Sequence, residues 1–113
     1  MITASTHGAP NWVDLATSDI EGATRFYREL LGWRIEKSET ATGDYFIGFI
    51  GELQVAGMMA SSDLPMPLWT VFFNVDDVDE AAAAVELAGG KIEQPPFDIP
   101  EARIAIEIGR AHV

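Results

Sequence analysis

The spacing of apolar residues changes along the chain in a sequence that occurs twice. Over residues 12–17 the side chains alternate, with Trp12, Asp14 and Ala16 on one face and Val13 and Leu15 on the other, the period of a half-buried strand. Over residues 20–31 the period lengthens to that of a helix. Ile20, Ala23, Tyr27, Leu30 and Leu31 then form one apolar stripe, beneath which Val13 and Leu15 can pack. Ser18 and Glu21 have the spacing of a capping box, with Asp19 as a rival N-cap. Gly32 stands where a left-handed residue ends a helix. Residues 33–38 predict a second strand, and Thr42-Gly43-Asp44 is turn chemistry. Residues 45–50 and 53–59 predict an antiparallel hairpin about Gly51-Glu52. Residues 60–67, with two Ser and two Pro, predict a linker.

The order of elements then begins again. Residues 68–75 are an apolar strand, and Asp76 or Asp77 caps a helix whose apolar side is Val78, Ala81, Ala82, Val85 and Ala88. Gly89 and Gly90 stop it, and residues 91–93 start another strand. Residues 94–100 carry three prolines and predict a loop, and residues 102–106 the last strand. Asp19 corresponds to Asp77, Ile20 to Val78 and Ala23 to Ala81, all at an offset of 58. The chain is thus expected to hold one domain over residues 1–107, made of a module at 11–59, the linker, and a module at 68–107. Residues 1–10 predict a loose arm with a solvated His7.

Composition narrows what such a domain can do. An apolar content of 48% argues for a packed core rather than disorder. With no cysteine there can be no disulfide, thiolate metal site or thiol nucleophile. A formal charge of −11 offers no cationic stripe for nucleic acid or anionic lipid. No apolar run approaches the roughly 20 residues of a membrane span, and the start lacks the pattern of a secretory signal. A cytoplasmic location is the expectation that follows.

Residues 12–19, the phrase Phe26-Tyr27-Arg28-Glu29-Leu30-Leu31-Gly32-Trp33, and residues 73–79 with the Ala-rich helix and Gly89-Gly90 resemble the vicinal oxygen chelate superfamily. That superfamily holds glyoxalase I, bleomycin-resistance proteins and extradiol dioxygenases. The resemblance covers residues 11–106 and is strongest to the first half of two-domain members. It implies an α+β fold of paired βαβββ modules whose curved mixed sheets form a cup, the second module here lacking its last strand. Metal-dependent members carry a ligating His on the leading strand of each module; these positions hold Trp12 and Thr70 here, and an acidic ligand position falls on or near Gly57. Neither imidazole nor carboxylate stands at any of the three, so no metal and no other cofactor is expected. An unpaired last strand would leave an open edge, and the expected remedy is a homodimer. The hexapeptide Ile108-Gly109-Arg110-Ala111-His112-Val113 matches the translation of a common sequencing-adapter DNA, so the expectation is that residues 108–113 are a non-native tail and the chain a metagenomic fragment.

Trp12, Asp14, Thr70 and Phe72 share one parity on the two leading strands, joined by Val55, Gly57 and Met59. As a functional set they make a ligand-binding pocket with aromatic walls and one acid, Asp14, able to act as a general base. As a structural set, Trp12 and Phe72 are core packing and Asp14 bonds a backbone amide. Three functions follow from the resemblance: a metal-free small-molecule-binding protein of the bleomycin-resistance type; a metal-dependent lyase, isomerase or dioxygenase using Asp14; or a piece whose activity needs a missing partner domain.

Overall fold

The structure, a computed structural model, describes residues 6–40, 43–63, 66–99 and 102–109. Two compact units divide the chain, residues 10–73 and residues 1–9 with 74–113. The first contains β1 (Pro10–Thr17), α1 (Ile20–Leu31), β2 (Arg34–Thr40), β3 (Gly43–Ile50), β4 (Leu53–Ala60) and β5 (Leu68–Phe73). Its five strands form one curved, unclosed mixed sheet in the order β2-β3-β4-β1-β5. β4 runs parallel to β1, and the other neighbours are antiparallel.

Local chemistry sets the limits of α1. Asp19 accepts a hydrogen bond from the Gly22 N–H at 3.0 Å, so the rival cap prevails over the Ser18–Glu21 box. Thr17 Oγ1 accepts from the Asp19 N–H and holds the cap residue in place. At the other end Gly32 has φ 73°, a conformation that costs a residue without Cβ little, and its N–H closes the last turn on Arg28 O.

The helix lies against β4 and β2. Leu15, Ala56 and Met58 are buried on that side of the sheet, Met58 with no exposed surface at all. Burying a side chain the size of Leu or Met removes about 1.5–3 kcal/mol of apolar hydration. The predicted helical stripe is buried only in part. Ile20, Ala23 and Tyr27 are half-buried and Thr24 is buried, whereas Leu30 is 61% exposed and Leu31 51%. Tyr27 instead stacks on Trp33, with ring centroids 5.5 Å apart, and receives the Trp69 Nε1–H at 3.1 Å.

β1 and β5 meet antiparallel, with Val13 opposite Val71. Those two residues are 58 positions apart, the offset of the sequence repeat. Each half therefore contributes the same residue of its leading strand to the point where the two strands cross the local pseudo-two-fold. The register then places Trp12 opposite Phe72 and Asp14 opposite Thr70.

In the second unit, α2 (Val78–Leu87) packs on a two-stranded antiparallel hairpin of β6 (Lys91–Ile99) and β7 (Ala102–Ile108). Asp77, not Asp76, caps α2 by accepting from the Glu80 N–H. Ala82 is buried, while Val78, Ala81 and Val85 are half-buried; Ala88 ends the helix exposed. The loop expected over residues 94–100 is a strand as far as Ile99. Prolines are tolerated there because the ladder shifts twice, between Ile92 and Gln94 and between Gln94 and Phe97, which leaves Pro95 and Pro96 outside the paired positions. The last strand also runs past Ile106, with Ile108 opposite Lys91. Arg110 to Val113, including His112, lie outside the described residues, as do Met1 to Ser5 of the arm and Thr42 of the predicted turn.

The described part of the arm is anchored. Gly8 N–H donates to Asn74 O at 2.6 Å and Asn74 N–H to Ala9 O at 2.8 Å, while His7 Nδ1 accepts from the Asp76 N–H at 2.9 Å.

Candidate small-molecule site on the sheet

The face of the five-stranded sheet turned away from α1 carries Trp12, Asp14, Gly57, Met59, Thr70 and Phe72 of the residues singled out above. Trp12, Asp14 and Ala16 project from β1, Thr70 and Phe72 from β5, and Gly57 and Met59 from β4. Asp14 is the middle of one row, with Thr70 opposite it on β5 and Gly57 opposite it on β4. Val55 is the additional residue of a bulge, since Gly48 pairs with Ala56 and Phe49 with Gln54. Gly57 is buried, and Trp12, Asp14, Val55, Met59, Thr70 and Phe72 are half-buried.

The polar centre of this face contains a residue that sequence reasoning missed. Tyr45, from β3, places its hydroxyl between Trp12 and Asp14. Trp12 Nε1–H donates to Asp14 Oδ1 at 2.8 Å and to Tyr45 Oη at 2.9 Å, and the Tyr45 hydroxyl donates to Asp14 Oδ1. The bonds to Asp14 Oδ1 thus come from side chains. The node exists because position 57 has no side chain. A Cβ there would fall on Tyr45 Oη and Asp14 Oδ1. Gly57 is thus the opening through which the β3 phenol reaches across β4 to the β1 carboxylate.

Tyr45 was missed for a reason of register. Counting back from the hairpin turn, Ile50 pairs with Leu53 and Phe49 with Gln54; continued without a break, Tyr45 would face Met58 on the helix side. The bulge between Gly48 and Phe49 shifts the pairing by one, sets Tyr45 opposite Met59, and turns its ring to the Asp14 face. The adjacency of Gly57 to the hairpin was the one available signal.

A divalent ion does not fit this donor set. The three positions where the resemblance implies ligands in metal-dependent members present an indole, a hydroxyl and a glycine, and the Asp14 carboxylate has its Oδ1 engaged by two donors. Among the described residues there is no group of three His, Cys, Asp or Glu side chains placed to hold an ion. No helix among them is long and apolar enough to cross a membrane.

Comparison with known proteins agrees with the arrangement of elements. The family model for the Glyoxalase/Bleomycin resistance protein/Dioxygenase superfamily matches residues 9–107. The chain is 34% identical over 104 residues to "Putative glyoxylase CFP32" of Mycobacterium bovis, covering 84% of this chain and 39% of that protein. It is 33% identical over 108 residues to "Anthracycline biosynthesis protein DnrV" of Streptomyces peucetius, covering 81% of this chain and 39% of the relative. The chain thus spans about two fifths of the length of these curated relatives.

Proposed function

We propose that this chain, which belongs to the glyoxalase/bleomycin resistance protein/dioxygenase superfamily, is a metal-free protein that binds a small organic molecule on the sheet face carrying Trp12, Asp14, Gly57, Met59, Thr70 and Phe72, with Val55 at the adjoining bulge. The observation that carries this reading is the Trp12–Tyr45–Asp14 node over Gly57. It is a set of polar groups converging on an otherwise apolar, half-buried surface, the combination that small-molecule sites use for orientation and for contact area. Trp12 and Phe72, opposite each other, form the aromatic wall, and Met59 provides an adaptable one. Asp14 is the acid of the site and the group able to take a proton from a bound ligand. The names of the two relatives, a glyoxylase and an anthracycline-biosynthesis protein, support a small organic ligand as the class. Sequestration of a drug-like compound fits that class without requiring a reaction.

Binding is tested by a thermal-shift screen of small aromatic compounds, followed by calorimetry on the hits. Trp12→Ala weakens binding by more than about 1 kcal/mol if the indole is an anchor. Hits whose affinity is indifferent to both Trp12→Ala and Asp14→Asn would remove the site from this face. One tightly held divalent ion per chain in elemental analysis would overturn the metal-free reading.

The outer edge of β5 in the sheet order supports a homodimer, and a cytoplasmic location belongs to the same reading. Among the described residues β5 pairs with β1 on one side only; it carries no charge, and Leu68, Val71 and Phe73 are each about half exposed. Such an edge is one that a second copy can cover. Light scattering at micromolar concentration reads the outcome, and a monomer refutes it.

A further inference from the structure

We infer that the site selects a protonated amine and rejects carboxylates, a conclusion that rests on the binding reading above and specifies its ligand. The node is short of hydrogens. An indole has one N–H and a phenol one O–H. The Trp12 hydrogen is shared between Asp14 Oδ1 and Tyr45 Oη, and the Tyr45 hydrogen goes to Asp14 Oδ1. Both donors are therefore engaged within the node. What it presents to an incoming molecule is the second carboxylate oxygen, Asp14 Oδ2, an acceptor carrying negative charge.

No cation on the sheet competes for that oxygen. In its own row Asp14 is flanked by Thr70 and Gly57, a hydroxyl and no side chain. Among the described residues Arg34 is the one cation on this face, in the same row of β2 as Phe49 of β3. Its guanidinium pairs with Glu36, donates to Gly51 O at 3.1 Å and lies 4.3 Å from the Phe49 ring centroid. Lys37, the other cation of the sheet, falls on the opposite parity and pairs with Asp44.

An ammonium group at Asp14 Oδ2 forms a charge-assisted hydrogen bond. A carboxylate in the same place meets a like charge and finds both donors of the node engaged, with the Thr70 hydroxyl as the one neutral donor in the row, so its desolvation is poorly compensated. The formal charge of −11 adds the same preference at longer range.

Three probes with one aromatic body separate the alternatives: 2-naphthylmethylamine, 2-naphthalenemethanol and 2-naphthylacetate, titrated calorimetrically at pH 7 in low salt. The amine is expected to bind at least about 10-fold more tightly than the alcohol, and the acetate more weakly than either. Asp14→Asn is expected to reduce the amine's affinity to that of the alcohol. An alcohol that matches the amine, or an acetate that exceeds it, overturns the selectivity and leaves the binding site standing. Failure of all three to bind overturns both.

Discussion

Replacing Gly57 with alanine tests the node directly. The new methyl would occupy the space of Tyr45 Oη and press on Asp14 Oδ1, so the Tyr45 ring must swing out of the row. Two hydrogen bonds are lost with it: the neutral Trp12–Tyr45 bond, worth about 0.5–1.5 kcal/mol net, and the Tyr45–Asp14 bond to a charged acceptor, worth about 1.5–3 kcal/mol. The Trp12–Asp14 bond can persist. These groups are half-buried, so water replaces part of the loss, while alanine is better than glycine in a strand by roughly 0.5–1 kcal/mol. The net expectation is a destabilisation of about 1–3 kcal/mol, or roughly 4–20 °C in Tm for a domain of this size. Denaturant unfolding of Gly57→Ala, Tyr45→Ala and the double variant forms the assay. With Tyr45 already truncated, the methyl at 57 still presses on Asp14 Oδ1 but no longer meets the phenol, so its cost should fall clearly below that of the single variant. A Gly57→Ala cost that is undiminished in the Tyr45→Ala background would refute the reasoning, because the penalty would then arise from something other than the phenol.

Two further outcomes follow from packing and charge elsewhere. Met58→Ala, at a side chain with no exposed surface, should cost about 2–5 kcal/mol in denaturant unfolding. The Arg103–Asp79 pair should produce an acid-limb dependence. Arg103 donates to both carboxylate oxygens of Asp79 at 2.9 Å, which holds the Asp79 carboxyl below its ordinary value of 3.8 and raises Arg103 in turn. A carboxyl depressed in the folded state contributes stability above its unfolded value and loses it as pH falls through the folded one. The Tm difference between the protein and Arg103→Met should therefore be full near neutral pH and shrink below about pH 4. Both groups are exposed to solvent, so 0.5 M salt should reduce it too.

Most of the fold was legible in the chain because its signals are local. The alternation of β1, the aspartates that begin both helices, Gly32 after α1 and the Gly51 turn each act over a few residues. Position 58 residues apart linked the two halves, and the Val13–Val71 pair realises that link in space. Parity alone brought Trp12, Asp14, Gly57, Thr70 and Phe72 to one face, since side chains on paired strands alternate together. Where local signals competed, the prediction was weaker. Three prolines argued against a strand at residues 94–100, and the register shifts of β6 made room for Pro95 and Pro96.

What the sequence determined by itself was therefore the type and order of elements and the face on which Asp14 lies. What only the tertiary structure decided was the partner of Asp14. A strand's side chains have a period of two, so one unpaired residue at the Gly48–Phe49 bulge exchanges the faces of everything before it. That shift brings Tyr45 over Gly57 to the carboxylate, 31 residues away along the chain. No local preference records it, because it results from how two strands are aligned rather than from what either strand contains.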